Sequence, residues 1–239
     1  MKKIMHCIVI GGCLLASGTK AVEPVAPVNV QPNQAVLEVK GMVCGRCAKA
    51  VHKQLSEVPG LDRSQLQDGL HIDLDKKQIV MALLPGKSVD CRKVHQAIKE
   101  SDCELIGLHR RLQGRLEKKG GRLVLREDGS GQVYPISFPP EKPRVRKGNS
   151  RDEFQAWYRV ATMACTMGNL DESKKFLNKA VELGGNEVML MALGDASLEK
   201  LWVGQQATLQ VEICWPHNPD ATKGKSLLAL AERVIEVTP

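Results

Sequence analysis

Two cysteines, Cys44 and Cys47, have the residue type and the spacing to do chemistry in this chain. They stand in Gly41-Met42-Val43-Cys44-Gly45-Arg46-Cys47, and a helical pattern begins at the second of them. Two thiols at a helix N-terminus can both face one ion. The unpaired N–H groups there, and the positive end of the backbone dipole, favour thiolate over thiol. Arg46 between the pair and Lys49 just beyond it push the same way. Thiolates are soft ligands and select soft ions, Cu(I) foremost. Hg(II) also suits two thiolates. Zn(II) ordinarily asks for two further ligands, and no carboxylate adjoins the motif. The expected metal ligands are therefore Cys44 and Cys47, with Cu(I) the leading ion and Hg(II) or Zn(II) its competitors.

The other six cysteines fall at 7, 13, 91, 103, 165 and 214. Cys165 and Cys214 lie in helical patterns among apolar neighbours, where cysteine behaves as a small buried hydrophobe. His52 and His95 fall within helical patterns, His71 and His109 within strand-like runs, and none has a partner at ligand spacing. Cys214 and His217 are two lone candidates beside Pro216 and make a weak metal signal. No Ser/His/Asp set, paired carboxylates or phosphate-binding loop is present, so no enzymatic activity is expected.

The elements around the pair follow from periodicity. Val36 to Lys40 alternates like a strand, and Cys47, Val51, Leu55 and Val58 fall on one helical face that ends at Pro59-Gly60. His71–Leu74 and Gln78–Met81 are strand-like runs joined by Asp75-Lys76-Lys77, which suits a hairpin. Ser88 can cap a second helix with Cys91, Val94, Ala97 and Ile98 inward, and Glu104–Leu108 supplies a last strand. The order is β-α-β-β-α-β, a ferredoxin-like arrangement.

On Gly41-Met42-x-Cys44-x-x-Cys47 between strand and helix, on Pro59-Gly60 and on the hairpin, residues 35–110 resemble the heavy-metal-associated domain. That domain occurs in copper chaperones, in the N-terminal modules of metal-pumping ATPases and in periplasmic mercury-binding proteins. The stretch from Gly60 to Leu70 is longer than usual in the family. The resemblance implies that Met42 packs under the loop instead of binding metal. It also puts Cys103 near the metal, where relatives often carry an aromatic residue or Lys. There Cys103 is either a third sulfur ligand (or a resolving thiol) or a small buried replacement. Cys91 falls at the opposite end.

The N-terminus has the layout of an export signal over residues 1–21. Lys2 and Lys3 precede an apolar run too short to span a bilayer, and small residues follow at Ala16, Gly18 and Ala21. Ile10-Gly11-Gly12-Cys13 resembles a lipobox, which makes membrane anchoring through a lipidated Cys13 the second option. Either way the protein is expected in the periplasm or cell envelope. Residues 22–34, with three prolines and no period, form a linker.

Residues 111–150 hold ten Lys and Arg against four acids, nearly the whole +7 surplus of the chain. With few aromatics and no docking motif the segment does not suit nucleic acid. Its first part reads as strands punctuated by Gly120-Gly121 and Asp128-Gly129, its last part as a basic linker. Residues 151–239 follow a tetratricopeptide-like pattern. Phe154, Trp157, Tyr158, Ala161, Gly168, Leu177, Ala180 and Gly185 fit a first copy, with a weaker second copy from Asn186 and a closing helix over 221–237. Stacked repeats present a groove, so the resemblance implies a protein partner.

The expected fold class is therefore α+β: a ferredoxin-like βαββαβ metal-binding domain, a short β segment, and an all-α tetratricopeptide-like domain. The expected function is an exported protein that traffics or sequesters Cu(I) or a similar soft ion. The alternative is a thiol-disulfide oxidoreductase using Cys44 and Cys47, although no Trp precedes Cys44 as in thioredoxins.

Overall fold

A computed structural model describes residues 28–138, 150–214 and 228–238. The expected export signal, Cys13, residues 22–27 of the first linker, the basic linker and His217 lie outside the described residues.

Strand β1 (Gln34–Lys40) leads into the cysteine loop and then into α1 (Gly45–Leu55), which turns Val51 and Leu55 inward. Strands β2 (Leu70–Asp73) and β3 (Gln78–Ala82) form the hairpin, and α2 (Cys91–Glu100) follows. Its N-cap is Asp90, not Ser88: the Asp90 carboxylate accepts from the backbone N–H groups of Arg92 and Lys93. Ser88 instead bonds Gln132 and Tyr134, 2.7 and 3.0 Å away. Strand β1 lies between β3 and β4 in antiparallel register, with β2 beyond β3. Helices α1 and α2 cover one face through Val51, Leu55, Val94 and Ile98, all fully buried.

Strand β4 (Glu104–Lys119) organises the rest of the molecule. Its first part pairs with β1, its middle (His109 to Arg115) with β7, and its end (Gly114 to Lys119) with β5. Strands β5 (Arg122–Glu127), β6 (Val133–Ser137), β7 (Gln206–Cys214) and β8 (Leu228–Thr238) continue the sheet. The order β4-β5-β6-β8-β7 returns to β4, so five strands close into a barrel, with only the β6–β8 pairing parallel. Leu112, Leu116, Leu125, Tyr134 and Leu209 are fully buried.

The expected fold class does not hold. Among the described residues the chain is a mixed α/β structure built on one eight-stranded sheet with a closed five-stranded barrel, not a ferredoxin-like domain followed by an all-α tetratricopeptide-like domain. Two findings overturn it. Strand β4 does not stop near Leu108 but runs on to Lys119, 16 residues in all, and into the barrel. Residues 206–214 and 228–238 are strands, where a second helical repeat and a closing helix were expected. Of the helical pattern, α3 (Ser150–Thr166), α4 (Leu170–Gly194) and a short 3-10 helix (Ala196–Leu201) are present. The helix pair packs tightly, with Ser173 Oγ donating to the Ala161 carbonyl at 2.7 Å. Gly185, at φ +64, breaks α4. Just after it, Asn186 Oδ1 accepts from the Val234 N–H of β8 at 2.8 Å and ties the helices to the barrel.

Candidate metal centre

Two elements position the thiols. Strand β1 ends at Lys40, and Gly41 turns the chain at φ +91. A side chain there would be strained by that φ, although it would meet the backbone of Asp102 and Cys103 only at ordinary contact distance. Met42 then drops into the core, 1% exposed, and anchors the loop from below. With Met42 held, Val43 is left 79% exposed, and Cys44 stands outside as the N-cap of α1.

Cys44 is in extended conformation and its sulfur accepts from the Cys47 N–H at 3.4 Å, the place usually taken by Ser, Thr, Asp or Asn. The Cys47 sulfur, on the first helical turn, lies 2.8 Å from the Cys44 sulfur. Cys44 is exposed, whereas Cys47 is half-buried and packs against the core. The Cys44 thiol is held below the usual thiol range. The hydrogen bond with the Cys47 side chain contributes most, then the Cys47 backbone N–H, then the backbone and charge of Arg46. Of the pair, Cys44 is thus the solvent-facing group predisposed to ionise, and Cys47 is the anchored one.

Cys103 begins the return toward β4. Its N–H donates to the Ile98 carbonyl at 3.2 Å, and its sulfur lies 3.9 Å from where a Gly41 side chain would begin. It therefore packs beside the start of the cysteine loop. Burial pushes its thiol up, and the negative charges of Cys47, Asp102 and Cys44 add to that. No group of three or more His, Cys, Asp or Glu side chains arranged to hold a metal ion occurs among the described residues, so Cys103 does not complete a preformed three-sulfur set. Cys91 is buried in the core, and burial pushes its thiol up to about 12. Cys165 is fully buried in α3.

Two clusters that periodicity did not reveal flank the point where β4 changes partners. On one side Arg110, 4% exposed, pairs with Glu127 at 2.7 Å and donates to the Tyr134 hydroxyl at 3.2 Å. On the other, His109 is buried among Glu38, Glu212 and Glu232, which come from β1, β7 and β8. His109 has no partner at ligand spacing in the sequence because its partners are brought by strand pairing across as many as 123 residues. A charged residue inside an otherwise alternating strand was the available signal.

No protein-family model, curated protein or solved structure matches the chain. Among the described residues no helix is long and apolar enough to cross a membrane.

Proposed function

We propose that the protein binds a soft metal ion, Cu(I) before Hg(II) or Zn(II), through Cys44 and Cys47, and that it traffics or sequesters that ion in the cell envelope. The observation that carries this reading is the thiol pair itself: two sulfurs 2.8 Å apart at the N-terminus of α1, one exposed and predisposed to ionise. Two thiolates on opposite sides of one ion lie farther apart than this, about 4.5 Å at metal–sulfur bonds near 2.3 Å. The exposed Cys44 is free to swing outward on its side-chain torsion, while Cys47 is held by its packing. An ion entering this site displaces the protons shared by the pair, so uptake weakens as pH falls through the lowered Cys44 value. Cys103 supports the site from beside the loop, and a sulfur there adjusts geometry and exchange more than it sets affinity.

The likeness of residues 35–110 to the heavy-metal-associated domain, carried by Gly41-Met42-x-Cys44-x-x-Cys47, supports the same reading. Delivery to a protein partner and export guided by the N-terminal segment complete it. Competition of Cu(I), Zn(II) and Hg(II) for the reduced protein, read by native mass spectrometry, tests it. One equivalent of Cu(I) retained against excess Zn(II) is expected, and preferential Zn(II) loading refutes it.

A second reading, thiol-disulfide exchange, draws on the same contact, because an exposed cysteine of lowered pKa backed by a half-buried partner also attacks disulfides. Turnover of a model disulfide that persists when Cu(I) is chelated, and that ceases in Cys44→Ser, favours it over metal binding.

A further inference from the structure

We propose that a proton held on His109 fastens β1 to β7 and β8, so that the joint between the cysteine-loop half of the sheet and the barrel is tight at low pH and loosens as pH rises. This goes beyond the metal reading and does not depend on it.

The placement begins with register. His109 lies opposite Val36 of β1 on one side and opposite Glu212 of β7 on the other, at the point where β4 passes from one partner to the next. Glu38, two residues along β1 from Val36, lies opposite Gly107, two residues along β4 from His109. Side chains two apart share a face, so Glu38, His109 and Glu212 meet on one face of the sheet. Glu232 of β8 completes the group, with its Oε1 3.0 Å from His109 Nδ1 and its Oε2 accepting from Gln210 at 3.2 Å. Gln210 also donates to the Val28 carbonyl at 2.6 Å, which brings in the segment before β1.

Gly107 makes room for the ring. A side-chain carbon there would stand 2.9 Å from His109 Nε2 and 3.6 Å from both Glu212 Oε1 and Glu38 Oε2. The unsubstituted position thus leaves a pocket in which the ring nitrogen and two carboxylate oxygens converge. His109 Nε2 has no hydrogen-bond partner, is 3.9 Å from Glu38 Oε2, and belongs to a side chain that is 7% exposed. It is therefore a buried polar atom whose nearest charged neighbour is an acid.

The charge balance decides the protonation state. Three carboxylates from three strands face one imidazole. With the ring neutral they repel one another across the joint, and with the ring charged each is attracted to the centre. Burial alone opposes a charge on the ring, but the hydrogen bond to Glu232 and the charges of Glu232, Glu38 and Glu212 outweigh it and raise the imidazole above its ordinary value. The Glu212 carboxyl is itself pushed up, by burial first and then by Glu232 and Glu38, against the opposing pull of His109. Both directions mean that the folded joint takes up protons.

The sign follows from linkage. A group whose pKa is higher folded than unfolded contributes stability that is complete below the unfolded value, about 6.5 for histidine, and is lost as pH rises through the folded value. The joint therefore weakens on the alkaline side. For every unit by which the folded pKa exceeds the unfolded one, opening of the joint becomes about tenfold more frequent across that window.

The test uses the full-length reduced protein. Ring nitrogen NMR follows His109 while hydrogen exchange of the β1, β4 and β7 amides is measured from about pH 5.5 to about pH 8.5, with intrinsic exchange rates subtracted. The expected result is a His109 midpoint above that of free histidine and a matching loss of protection along β1–β4–β7, absent from β2–β3. His109→Gln should flatten that loss. Should His109→Gln fail to fold, Glu232→Gln serves in its place: it removes one acid and the main hydrogen-bond acceptor, and should lower the His109 midpoint and shrink the loss. A His109 midpoint at or below that of free histidine, or a pH-dependent loss that survives both substitutions, overturns the proposal.

Discussion

At Cys44 an exposed sulfur, an acceptor role at a helix start and a neighbouring thiol combine to make it unlike the other cysteines among the described residues. Reactivity should therefore be ordered by site, since the thiolate is the nucleophile. With limiting iodoacetamide on the native protein, Cys44 should be labelled first and Cys103 more slowly, with Cys91 and Cys165 unlabelled until the protein unfolds. Peptide mapping by mass spectrometry checks the order, and Cys103 labelling as fast as Cys44 contradicts it. The labelling rate of Cys44 should rise through a midpoint below the ordinary thiol value, because its pKa is lowered. The pair was legible in the sequence because its chemistry is local: four consecutive residues set the spacing, the N-cap and the nearby charge. His109 and Arg110 were not, because each is defined by acids that only strand pairing brings near.

The strands and helices from β1 to α2 lie close to where periodicity placed them, although α1 stops at Leu55, short of Val58 and Pro59-Gly60; each carries its own signal: alternation in β1, a four-residue step in α1, turn residues in the β2–β3 hairpin. Residues 206–214 show why the C-terminal part was misread. Ala207, Leu209, Val211 and Ile213 are buried and alternate with the polar Thr208, Gln210 and Glu212, a strict two-residue period of residue type that specifies a strand, even though Gln210 is buried as well. The reading of a second repeat copy from Asn186, with Cys214 in a helical pattern, passes over the alternation that Glu212 and Ile213 continue. For 228–238 a helical period fits Leu230, Ala231 and Val234 as well as a strand does, and barrel closure decides. The start of α2 is decided locally by Asp90, whose carboxylate reaches two N–H groups. Within the barrel, Gly114 marks the place where β4 pairs at once with β5 and β7, and a side chain there would collide with the Arg126 carbonyl. Since the obstacle is backbone, it cannot swing aside. Gly114→Ala should cost at least about 2 kcal/mol in stability, at the upper part of the overpacking range, measured by urea denaturation. A variant as stable as the parent contradicts the close approach.

At the scale of the molecule, one strand joins two structures. Leu37, Val51 and Leu55 on the cysteine-loop side and Leu112, Leu116 and Leu209 in the barrel belong to one continuous apolar core. The Arg110–Glu127 pair lies within it at the joint, with both side chains under 10% exposed. A buried pair costs much of its attraction in lost hydration, but removing one partner strands the other. Glu127→Ala should therefore destabilise by about 3–5 kcal/mol. The double replacement Arg110→Met with Glu127→Leu should cost clearly less than that single change. Equilibrium denaturation of the three proteins checks this, and a double variant no better than Glu127→Ala contradicts it. That the joint is electrostatic was hidden from sequence for the same reason as the barrel: neither exists until β4, β5, β6, β7 and β8 are paired.

We propose that Cys44 and Cys47 together hold a soft ion at the mouth of α1. The proposal is tested most directly by titrating Cu(I) against a colorimetric chelator with the parent protein and with the Cys44→Ser, Cys47→Ser double variant, both reduced and both checked for thermal stability. The parent should take one equivalent of Cu(I) from the chelator. The double variant should take none while its melting temperature stays close to the parent's, since Cys44 is exposed and Cys47 only partly buried. A double variant that competes for Cu(I) as well as the parent would contradict the account.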